Sequence, residues 1–409
     1  MGKLRIGQLC GTGARILCLV VFIASTRAAA ADWPAWRGPN RDGVSPEAGW
    51  EAPAAQPKVL WQQSIGVGFS SVSVAGERVY AMGNADGNDT VWCLKADTGT
   101  PVWRYDYPCD KGSYPGTRMT PTVDGDMVFT LSREGHIHGL NAKTGTLVWA
   151  KHAKEDFGVK EEPARWGLSC SPLVVGDLLV FDLGKVLAFK KADGALAWQA
   201  GDDAPGFSSP VKFKLEGKEY LTSFNVSGLV LYDLETRLEA ARYPWKTRFD
   251  VNAVTPIVAG NAIFISTGYD RGCTLLKFDG KSLKPVYEHK EMRNHVNNCV
   301  LVDGHLYGFD GQQGASGALK CMELETGKIK WSQKGLKVGA LMVAGGRIVA
   351  MLDGGELLIA EASPAAFTLL TRVKVLGGQC WTYPVFCGNR IYCRSNEQKE
   401  LICIDVSGK

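Results

Sequence analysis

Eight segments along the chain share one pattern of hydrophobic and polar positions. In each, a short apolar strand leads into a turn with a glycine, and a second alternating strand follows. The segments read VAGERVY, VDGDMVF, VVGDLLV, LEGKEYL, VAGNAIF, VDGHLYG, VAGGRIV and FCGNRIY. Their glycines are Gly76, Gly125, Gly176, Gly217, Gly260, Gly304, Gly345 and Gly388. Alternation with a period of two predicts β-hairpins. The spacing of 41 to 51 residues between glycines is typical of a repeat architecture.

Each hairpin belongs to a longer unit. Upstream, a polar residue is followed by proline, as at Thr120-Pro121 and Ser171-Pro172, and proline at the first residue of a strand loses no ladder hydrogen bond. Downstream, a third strand, a turn with glycine and a fourth strand with an aromatic residue follow. These aromatic residues are Trp103, Trp149, Trp198 and Trp331, with Tyr243 and Tyr287 in repeats four and five. The unit therefore predicts four antiparallel strands, which we name A to D.

The first and last repeats predict a closed ring. The eighth repeat reaches Lys409 without a strand D, and a matching strand with Trp61 occurs at Lys58 to Gln63. Pairing that strand into the last unit would close the ring and leave only short edges. An open solenoid, the alternative, would not need a split unit. We predict an all-β, eight-bladed β-propeller of four-stranded antiparallel blades, closed by an N-terminal strand that completes the last blade.

The repeat resembles the PQQ-like (pyrroloquinoline-quinone-type) β-propeller family. The resemblance rests on Ser/Thr-Pro, then V-x-G-x-x-V-Y, then A-x-T-G-x-x-x-W, and it covers about residues 58 to 409. The segment DWPAWRGPNRDGVS at Asp32 to Ser45 is similar to the opening of bacterial secreted proteins with these repeats. The resemblance implies one of two functions. BamB-type outer membrane assembly factors are non-catalytic periplasmic propellers that bind a barrel-assembly protein, whereas quinoprotein dehydrogenases use PQQ and Ca²⁺.

Length and site chemistry separate these two functions. The dehydrogenases are usually much longer and commonly carry two adjacent cysteines over the quinone, whereas this chain has 409 residues and no Cys-Cys pair. No strong match to a set of hard oxygen ligands for Ca²⁺ is evident either. The BamB-type factor is normally a lipoprotein, and Cys10 and Cys18 lack the preceding small residue that lipoprotein processing usually needs. The sequence therefore departs from both patterns, and more from that of the dehydrogenases.

The start of the chain predicts an export signal. Lys3, Arg5 and Arg15 flank or precede the apolar run Ile16 to Ser25, and alanines follow up to Ala31, as in a cleavable signal peptide. A run of this length is about half of the roughly 20 residues that a membrane-spanning helix needs. We expect a signal peptide at 1–31, a Trp-, Pro- and Gly-rich segment at 32–57 that packs on the propeller, and the PQQ-like propeller domain at 58–409. The mature protein would be periplasmic or secreted, with no transmembrane segment.

The charge distribution indicates which partners are excluded, and the repeat positions of the cysteines indicate how some of them pack. The 46 basic residues exceed the 42 acidic ones by four, and four basic residues and no acidic ones lie in the first 31 positions. The remainder is neutral, which argues against nucleic acid binding.

Cys93, Cys321 and Cys403 share a repeat position with Gly139 and Ala188, so we expect them to pack as small buried residues. The pairing of the other seven cysteines beyond residue 31 stays open.

Several motifs are compatible with chemistry but do not predict it. His136-Ile137-His138 would place two imidazoles on one side of a strand, as a metal requires, but no third ligand is evident. The pairs Glu161-Glu162 and Asp202-Asp203 are interpreted as solvated carboxylates and not as general acids or bases. We therefore predict no catalytic residue, no cofactor and no metal site.

Propeller geometry places a binding site on one face. The tight A–B and C–D turns share one face, and the longer B–C and D–A loops, such as Met82 to Thr90 and Ala150 to Arg165, lie on the other. The residues before each strand A should rim the central channel on this loop face. The candidates are Arg118, Trp166, Phe207, Asn252, His295 and Trp381. Aromatic residues with arginine are typical of binding hot spots, although these residues could instead simply fill the channel.

The sequence thus predicts a non-catalytic, monomeric, exported scaffold that binds a cell-envelope protein. An outer membrane assembly component is the partner that the BamB-type resemblance implies. One alternative is a small-ligand or glycan-binding propeller with a sensory role. The other is a dehydrogenase that depends on PQQ and Ca²⁺.

Overall fold

The computed structural model describes Gly2 and residues 32–408, so the predicted signal peptide lies outside the described residues except for Gly2. The described residues form eight sheets around a central channel. Each sheet contains four antiparallel strands, and one sheet has a short fifth strand that pairs in parallel at its edge. This architecture confirms the predicted eight-bladed β-propeller. No helix among the described residues has the length and apolar character that crossing a bilayer demands.

In blades 1 to 7 the strands A to D follow the order of the chain, whereas strand D of blade 8 comes from before blade 1. Blades 1 to 4 comprise Ser73–Ala75, Arg78–Ala85, Asn88–Lys95 and Pro101–Pro108; Thr122–Asp124, Met127–Leu131, His136–Asn141 and Leu147–His152; Leu173–Val175, Leu178–Leu183, Lys185–Lys190 and Leu196–Ala200; and Lys212–Leu215, Lys218–Asn225, Gly228–Asp233 and Glu239–Pro244. Blades 5 to 7 comprise Ile257–Ala259, Ala262–Thr267, Gly272–Phe278 and Leu283–His289; Val300–Val302, His305–Asp310, Ser316–Glu323 and Ile329–Lys337; and Gly339–Ala344, Arg347–Leu352, Glu356–Glu361 and Leu369–Lys374. Blade 8 comprises Val385–Cys387, Arg390–Ser395, Glu400–Asp405 and, as its strand D, Val59–Ser64. A short strand, Val44–Ser45, and one helix, Ala153–Phe157, complete the described elements.

The last blade closes the ring as predicted. Its strand D, Val59–Ser64, pairs antiparallel with Glu400–Asp405 and sets Trp61 opposite Cys403. Next to this seam, the guanidinium of Arg394 donates hydrogen bonds to three backbone carbonyls from residues that lead into and form blade 1. The acceptors are the carbonyls of Gly66, Ser70 and Met82 at 3.0, 2.9 and 2.8 Å. Burial lowers the pKa of Arg394 to about 9, so the side chain keeps its charge at neutral pH.

In several blades, the aromatic residue of strand D joins the blade to the next. The indole N–H of Trp103 donates to the carbonyl of Ala142 in blade 2 at 3.0 Å, and that of Trp149 donates to Lys191 in blade 3 at 2.8 Å. The ring of Trp103 lies over the C–D turn of blade 2, where a Cβ on Gly145 would come within 2.6 Å of it. Only glycine leaves room for this contact, which explains why the repeat pairs a turn glycine with a tryptophan.

The polar residue before each strand-opening proline links neighbouring blades near the channel. The backbone N–H of Thr120 donates to the hydroxyl of Ser171 at 2.9 Å, and the N–H of Ser171 donates to the hydroxyl of Ser209 at 2.9 Å. These bonds satisfy backbone groups that would otherwise be buried without a partner. The Ser/Thr-Pro motif therefore supports the contact between blades as well as the start of each strand.

The three cysteines at the shared repeat position pack as predicted. Cys93, Cys321 and Cys403 lie in strand C of blades 1, 6 and 8 as buried free thiols. The other seven cysteines of the described residues are buried as well.

Residues 32–50, which we name the plug, lie inside the channel. Trp33 exchanges two 2.8 Å backbone hydrogen bonds with Val74 in strand A of blade 1. Arg41 donates from its two terminal nitrogens to the carbonyls of Pro172 and Ser171 before blade 3, at 2.8 and 3.0 Å. The strand Val44–Ser45 then pairs in parallel with strand A of blade 7. The plug thus contacts the inner strands of blades on several sides of the ring.

The loop face is more ordered than the sequence suggested. Within Met82 to Thr90, strands B and C of blade 1 extend so far that only Asp86 and Gly87 remain as a turn. Within Ala150 to Arg165, strand D of blade 2 continues into the helix Ala153–Phe157. Gly158 ends this helix in a left-handed conformation, with φ of 63°.

Candidate functional site

A cavity of about 190 Å³ opens where the D–A loops converge on the channel. We name it the cup. Its aromatic lining consists of Trp36, Phe69, Tyr114, Trp166, Phe207, Tyr269, Trp381 and Tyr383. Between these rings lie Arg118, His295, hydroxyl-bearing residues and small apolar residues. For comparison, an apolar cavity of about 150 Å³ is large enough to bind benzene, so the cup has room for one aromatic ring.

The walls of the cup are rings in mutual contact. The centroids of Trp166 and Phe207 are 5.4 Å apart, and Tyr114 meets Trp166 edge-on at 5.5 Å. On another side, Phe69 and Trp381 are 5.8 Å apart. Such contacts limit the motion of each ring. The cup is therefore a largely preformed apolar surface.

The plug supplies the floor of the cup. Trp36 packs edge-on against Tyr383, with centroids 4.7 Å apart, and its indole N–H donates to the hydroxyl of Thr255 at 2.9 Å. Because Trp36 belongs to the plug, the cup is closed on the side of the tight turns. A ligand would enter from the loop face.

Five of the six predicted face residues line the cup: Arg118, Trp166, Phe207, His295 and Trp381. The sixth, Asn252, is fully buried. Its amide nitrogen donates to the carbonyls of Asn225 and Trp245 at 2.7 and 3.1 Å. Its neighbours Val251 and Ala253 line the cup instead, so Asn252 shapes the loop that presents them.

Other lining residues escaped the sequence analysis. Phe69 lies four residues before strand A of blade 1, as Arg118 does before strand A of blade 2. A register comparison could have found Phe69, but the first repeat lacks the Ser/Thr-Pro opening that marks this position. No repeat signal points to Trp36, because the plug lies outside the repeats. Tyr114 and Tyr269 come from D–A and B–C loops whose lengths vary between repeats.

Arg118 gives the cup one positive charge. Its guanidinium donates to the carbonyls of Gly116 and Tyr114 at 2.7 and 2.9 Å and lies 5.6 Å from the ring centre of Phe69. Burial lowers its pKa to about 10, so it remains charged at neutral pH. Of the described residues that line the cup, none is Asp or Glu. The site therefore favours an apolar group with a carboxylate beside it.

Two ring nitrogens in the cup have unused hydrogen-bonding capacity. Nε2 of His295 and Nε1 of Trp381 are buried and lack a hydrogen-bond partner among the described residues. Burial lowers the pKa of His295 to about 4, so its ring is neutral at physiological pH. Trp381 can donate to a ligand oxygen, and His295 can donate or accept depending on its tautomer.

The cup does not fit the calcium ion that accompanies PQQ in the dehydrogenases. Ca²⁺ takes about six to eight oxygen ligands, with carboxylates among them. The side-chain oxygens of the described cup residues are hydroxyls, from serines, a threonine and tyrosines. These residues suit binding of an apolar group better than coordination of a hard cation.

The acidic pairs of the sequence are used in structural contacts. Asp202 is exposed and pairs with Lys160 at 2.9 Å, and Asp203 pairs with Arg242 at 3.1 Å. Glu162 is buried, contrary to expectation, and accepts a hydrogen bond from the backbone N–H of Gly167 at 2.8 Å. Glu162 is buried because its carboxylate accepts the hydrogen bond from the N–H of Gly167 in this turn.

The histidine pair lies on one side of strand C in blade 2, as predicted. The rings of His136 and His138 are nearly parallel, at 7° and with centroids 6.2 Å apart. Cys109 and Glu134 approach His136, but His138 does not belong to this group. The repeat pattern could not show that Cys109 lies close to His136 in the fold.

Comparison with known proteins agrees with this architecture. The family model of the outer membrane protein assembly factor BamB matches residues 52–213. BamB of Yersinia pestis is 24% identical over 340 residues, which cover 78% of this chain and 72% of the relative. The structure of BamB from Moraxella catarrhalis has a TM-score of 0.60 at 14% identity, covering 86% of this chain and 98% of that one. A europium-containing methanol dehydrogenase has a TM-score of 0.67 at 12% identity, covering 91% and 89%.

At these identities the two structures show a common fold and nothing more. The repeats and the eight closed blades define the chain as an eight-bladed β-propeller. Within that class, residues 52–213 match the BamB family model, and the chain is similar to BamB of Yersinia pestis over 340 residues.

Proposed function

We propose that this protein is a non-catalytic, exported scaffold of the bacterial cell envelope that binds a protein partner through its loop face. In this proposal, the cup receives one projecting apolar or aromatic side chain of the partner. The observation that carries it is the lining of the cup: eight aromatic residues around one arginine. The similarity to BamB, an outer membrane protein assembly factor by name, supports an assembly component as the partner.

The size of the cup favours a single inserted side chain over a flat contact. Its volume of about 190 Å³ accommodates one ring, and the energy of protein interfaces concentrates in such desolvated pockets. The cation of Arg118 would select a partner segment in which an acidic residue follows or precedes the inserted side chain. A rim of exposed loops, including Tyr114, which is 48% exposed, would then contact the surrounding surface.

Site-specific photo-crosslinking tests the binding face in cells. A photoreactive phenylalanine analogue replaces Tyr114 at the rim, and in a matched control it replaces Leu238, which is 68% exposed next to a C–D turn. We expect a crosslink to one envelope protein from position 114 and none from position 238. Crosslinks from position 238 to the same protein, with none from position 114, would place the partner on the other face.

Substitution tests the cup itself. The double variant Arg118→Ala, Trp166→Ala should reduce affinity for that partner by about 1000-fold, since hot-spot residues each contribute about 2 kcal/mol or more. Leu238→Ser serves as the control and should bind like the wild type. Unchanged affinity of a folded double variant would refute a role for the cup in this contact.

A small ligand is the second candidate. The unpartnered nitrogens of His295 and Trp381 favour a molecule that carries both an apolar body and a polar oxygen. A thermal-shift screen of the purified protein distinguishes the two functions. A ligand class that raises the melting temperature of the wild type but not of Trp166→Ala, in the absence of any crosslinked protein, would select this candidate.

A further inference from the structure

Three potential metal ligands converge where blades 1 and 2 meet on the loop face. Cys109 follows strand D of blade 1, Glu134 lies in the B–C turn of blade 2, and His136 begins strand C of blade 2. One ligand atom from each residue lies within 4.8 Å of the corresponding atoms of the other two. This cluster is separate from the residues that line the cup.

Backbone contacts hold the three residues in place. The N–H of Cys109 donates to the carbonyl of Gly87 at 2.9 Å. The hydroxyl of Ser132 accepts from the N–H groups of Glu134 and His136 at 3.2 and 3.0 Å, and it lies 2.9 Å from Nδ1 of His136. Metal-binding imidazoles are usually held by such a second contact. The turn is thus organised by the fold itself.

The surroundings of the thiol favour a cation. Cys109 is buried, whereas Glu134 and His136 are partly exposed, so an ion can reach the cluster from solvent. Burial and the nearby charges of Asp89 and Glu134 raise the pKa of the Cys109 thiol. The same two carboxylates would stabilise a positive ion beside the sulfur, and the bound ion would in turn favour the thiolate.

We propose that Cys109, Glu134 and His136 bind a Zn²⁺ ion. A thiolate, an imidazole and a carboxylate are all established zinc ligands, and borderline-soft metals accept this mixture, whereas Ca²⁺ and Mg²⁺ prefer oxygen alone. Three protein ligands leave the fourth position of a tetrahedron to water. Ligand atoms around tetrahedral zinc lie roughly 3.3 to 3.8 Å apart, given bond lengths of about 2.0 to 2.3 Å. Small rotations of Glu134 and His136 would close the remaining gap.

Cobalt provides a spectroscopic test of this site. The full mature chain is stripped with a chelator, reduced, and titrated with Co²⁺. We expect one Co²⁺ per chain and a thiolate-to-cobalt charge-transfer band in the near ultraviolet, which Zn²⁺ abolishes on displacing the cobalt. A titration that produces no such band would overturn the proposal.

Variants assign the ligands. Cys109→Ser should abolish the band. Glu134→Gln or His136→Asn should weaken Zn²⁺ binding by at least about tenfold, because even the loss of a residue that only supports a metal ligand lowers metal affinity by that much. Cys321→Ala and His305→Asn are matched controls from blade 6 and should bind as the wild type does. Because Glu134 and His136 are partly exposed, their variants keep the test valid if Cys109→Ser does not fold. Wild-type affinity in folded Glu134→Gln and His136→Asn would refute the site.

Proton release provides an independent readout. Zinc binds the thiolate form of cysteine, so zinc binding must displace the proton of the Cys109 thiol. Calorimetry in buffers of different ionisation enthalpy should detect about one proton released per ion, and zinc affinity should rise with pH. Binding without proton release would mean that the thiol is not a ligand. The partner binding proposed above does not enter this test.

Discussion

At the scale of single residues, the turn glycine and the tryptophan of the preceding blade act as one contact. Trp61 lies over Gly99, Trp103 over Gly145 and Trp149 over Gly194, and in each case a Cβ on the glycine would come within 2.6 Å of the indole. These glycines also have positive φ. Each position therefore requires glycine for two reasons. The turn needs a positive φ, and the tryptophan of the neighbouring blade leaves no room for a Cβ.

Two glycines of blade 2 separate these requirements. Gly145→Ala introduces both a left-handed alanine, at φ of +75°, and a clash with Trp103, whereas Gly125→Ala introduces only the former, at φ of +56°, because no atom lies within 4 Å of its Cβ position. A left-handed alanine costs about 1–2 kcal/mol, and the clash should add about 1–3 kcal/mol. Urea denaturation measures the difference in free energy of unfolding. Equal losses in the two variants would mean that Trp103 moves aside freely.

Asp182 is a buried carboxyl group that links blades 3 and 4. It accepts hydrogen bonds from the hydroxyl of Ser223 at 2.7 Å and the N–H of Phe224 at 3.0 Å. Burial, only partly offset by these bonds, raises its pKa to about 6. Its pKa in the unfolded chain is about 3.9. The folded state thus binds the proton more tightly.

The stability that Asp182 contributes should therefore fall as pH rises. It is fully present below about pH 4 and is lost as pH passes about 6, because the folded protein binds more protons in that window. The free energy of unfolding of Asp182→Asn, relative to wild type, should rise by roughly 2–3 kcal/mol between pH 4 and pH 7. Asp279→Asn is the control, since Lys284 lowers the pKa of Asp279, and its difference from wild type should change little between pH 4 and pH 7. Urea titrations at several pH values that show a constant difference for Asp182→Asn would contradict this account.

At the scale of elements, the plug behaves like an additional internal strand. Its contacts with the blades are made by buried tryptophans as well as by arginines and backbone groups. Arg41 has a φ of 57° and is buried, with its two terminal nitrogens donating to carbonyls of blade 3. An unpartnered buried carbonyl costs about 1–3 kcal/mol, so the hydrogen bonds of Arg41 contribute to anchoring the plug.

Arg41→Met should lower the free energy of unfolding by about 1–3 kcal/mol, because the carbonyl of Pro172 keeps only the hydroxyl of Thr122 as a donor and that of Ser171 only the thiol of Cys170. Arg237→Met is a matched control, since Arg237 also has a positive φ, of 64°, but is exposed on a C–D turn. We expect a change within about 0.5 kcal/mol there. Similar losses in both variants, measured by urea denaturation, would show that the hydrogen bonds of Arg41 contribute little.

The arrangement of the strands could largely be predicted from the sequence, whereas the path of the plug could not. Strand pairs, blade order and the closing strand Val59–Ser64 were predictable, because they depend on a period that repeats eight times. Five of the six predicted face residues line the cup, because they precede strand A by a similar distance. The path of the plug was not predictable, since side-chain bonds to distant carbonyls leave no periodic signal. Cys109 beside His136 was hidden for the same reason.

At the scale of the whole molecule, the plug is held by blades on several sides of the ring and not by its covalent link alone. The connection to the propeller includes the exposed residues Ala54 and Ala55. If a protease site is inserted between them and cut, the plug should stay in the channel and co-elute with the propeller in native buffer, then separate in urea. The Arg41→Met protein should release the fragment more readily after cutting. A plug that dissociates at once from the wild type would mean that its contacts are weak.

The split last blade has a consequence for how the molecule is made. Trp61 and Cys403 face each other in one sheet, although they lie near opposite ends of the described chain. Contacts with such large sequence separation form slowly, because the loop between them must first be closed. Synthesis of most blades is therefore not enough to finish the protein. Until the strands of blade 8 arrive, an unfinished chain exposes unpaired edges and remains a substrate for chaperones and proteases.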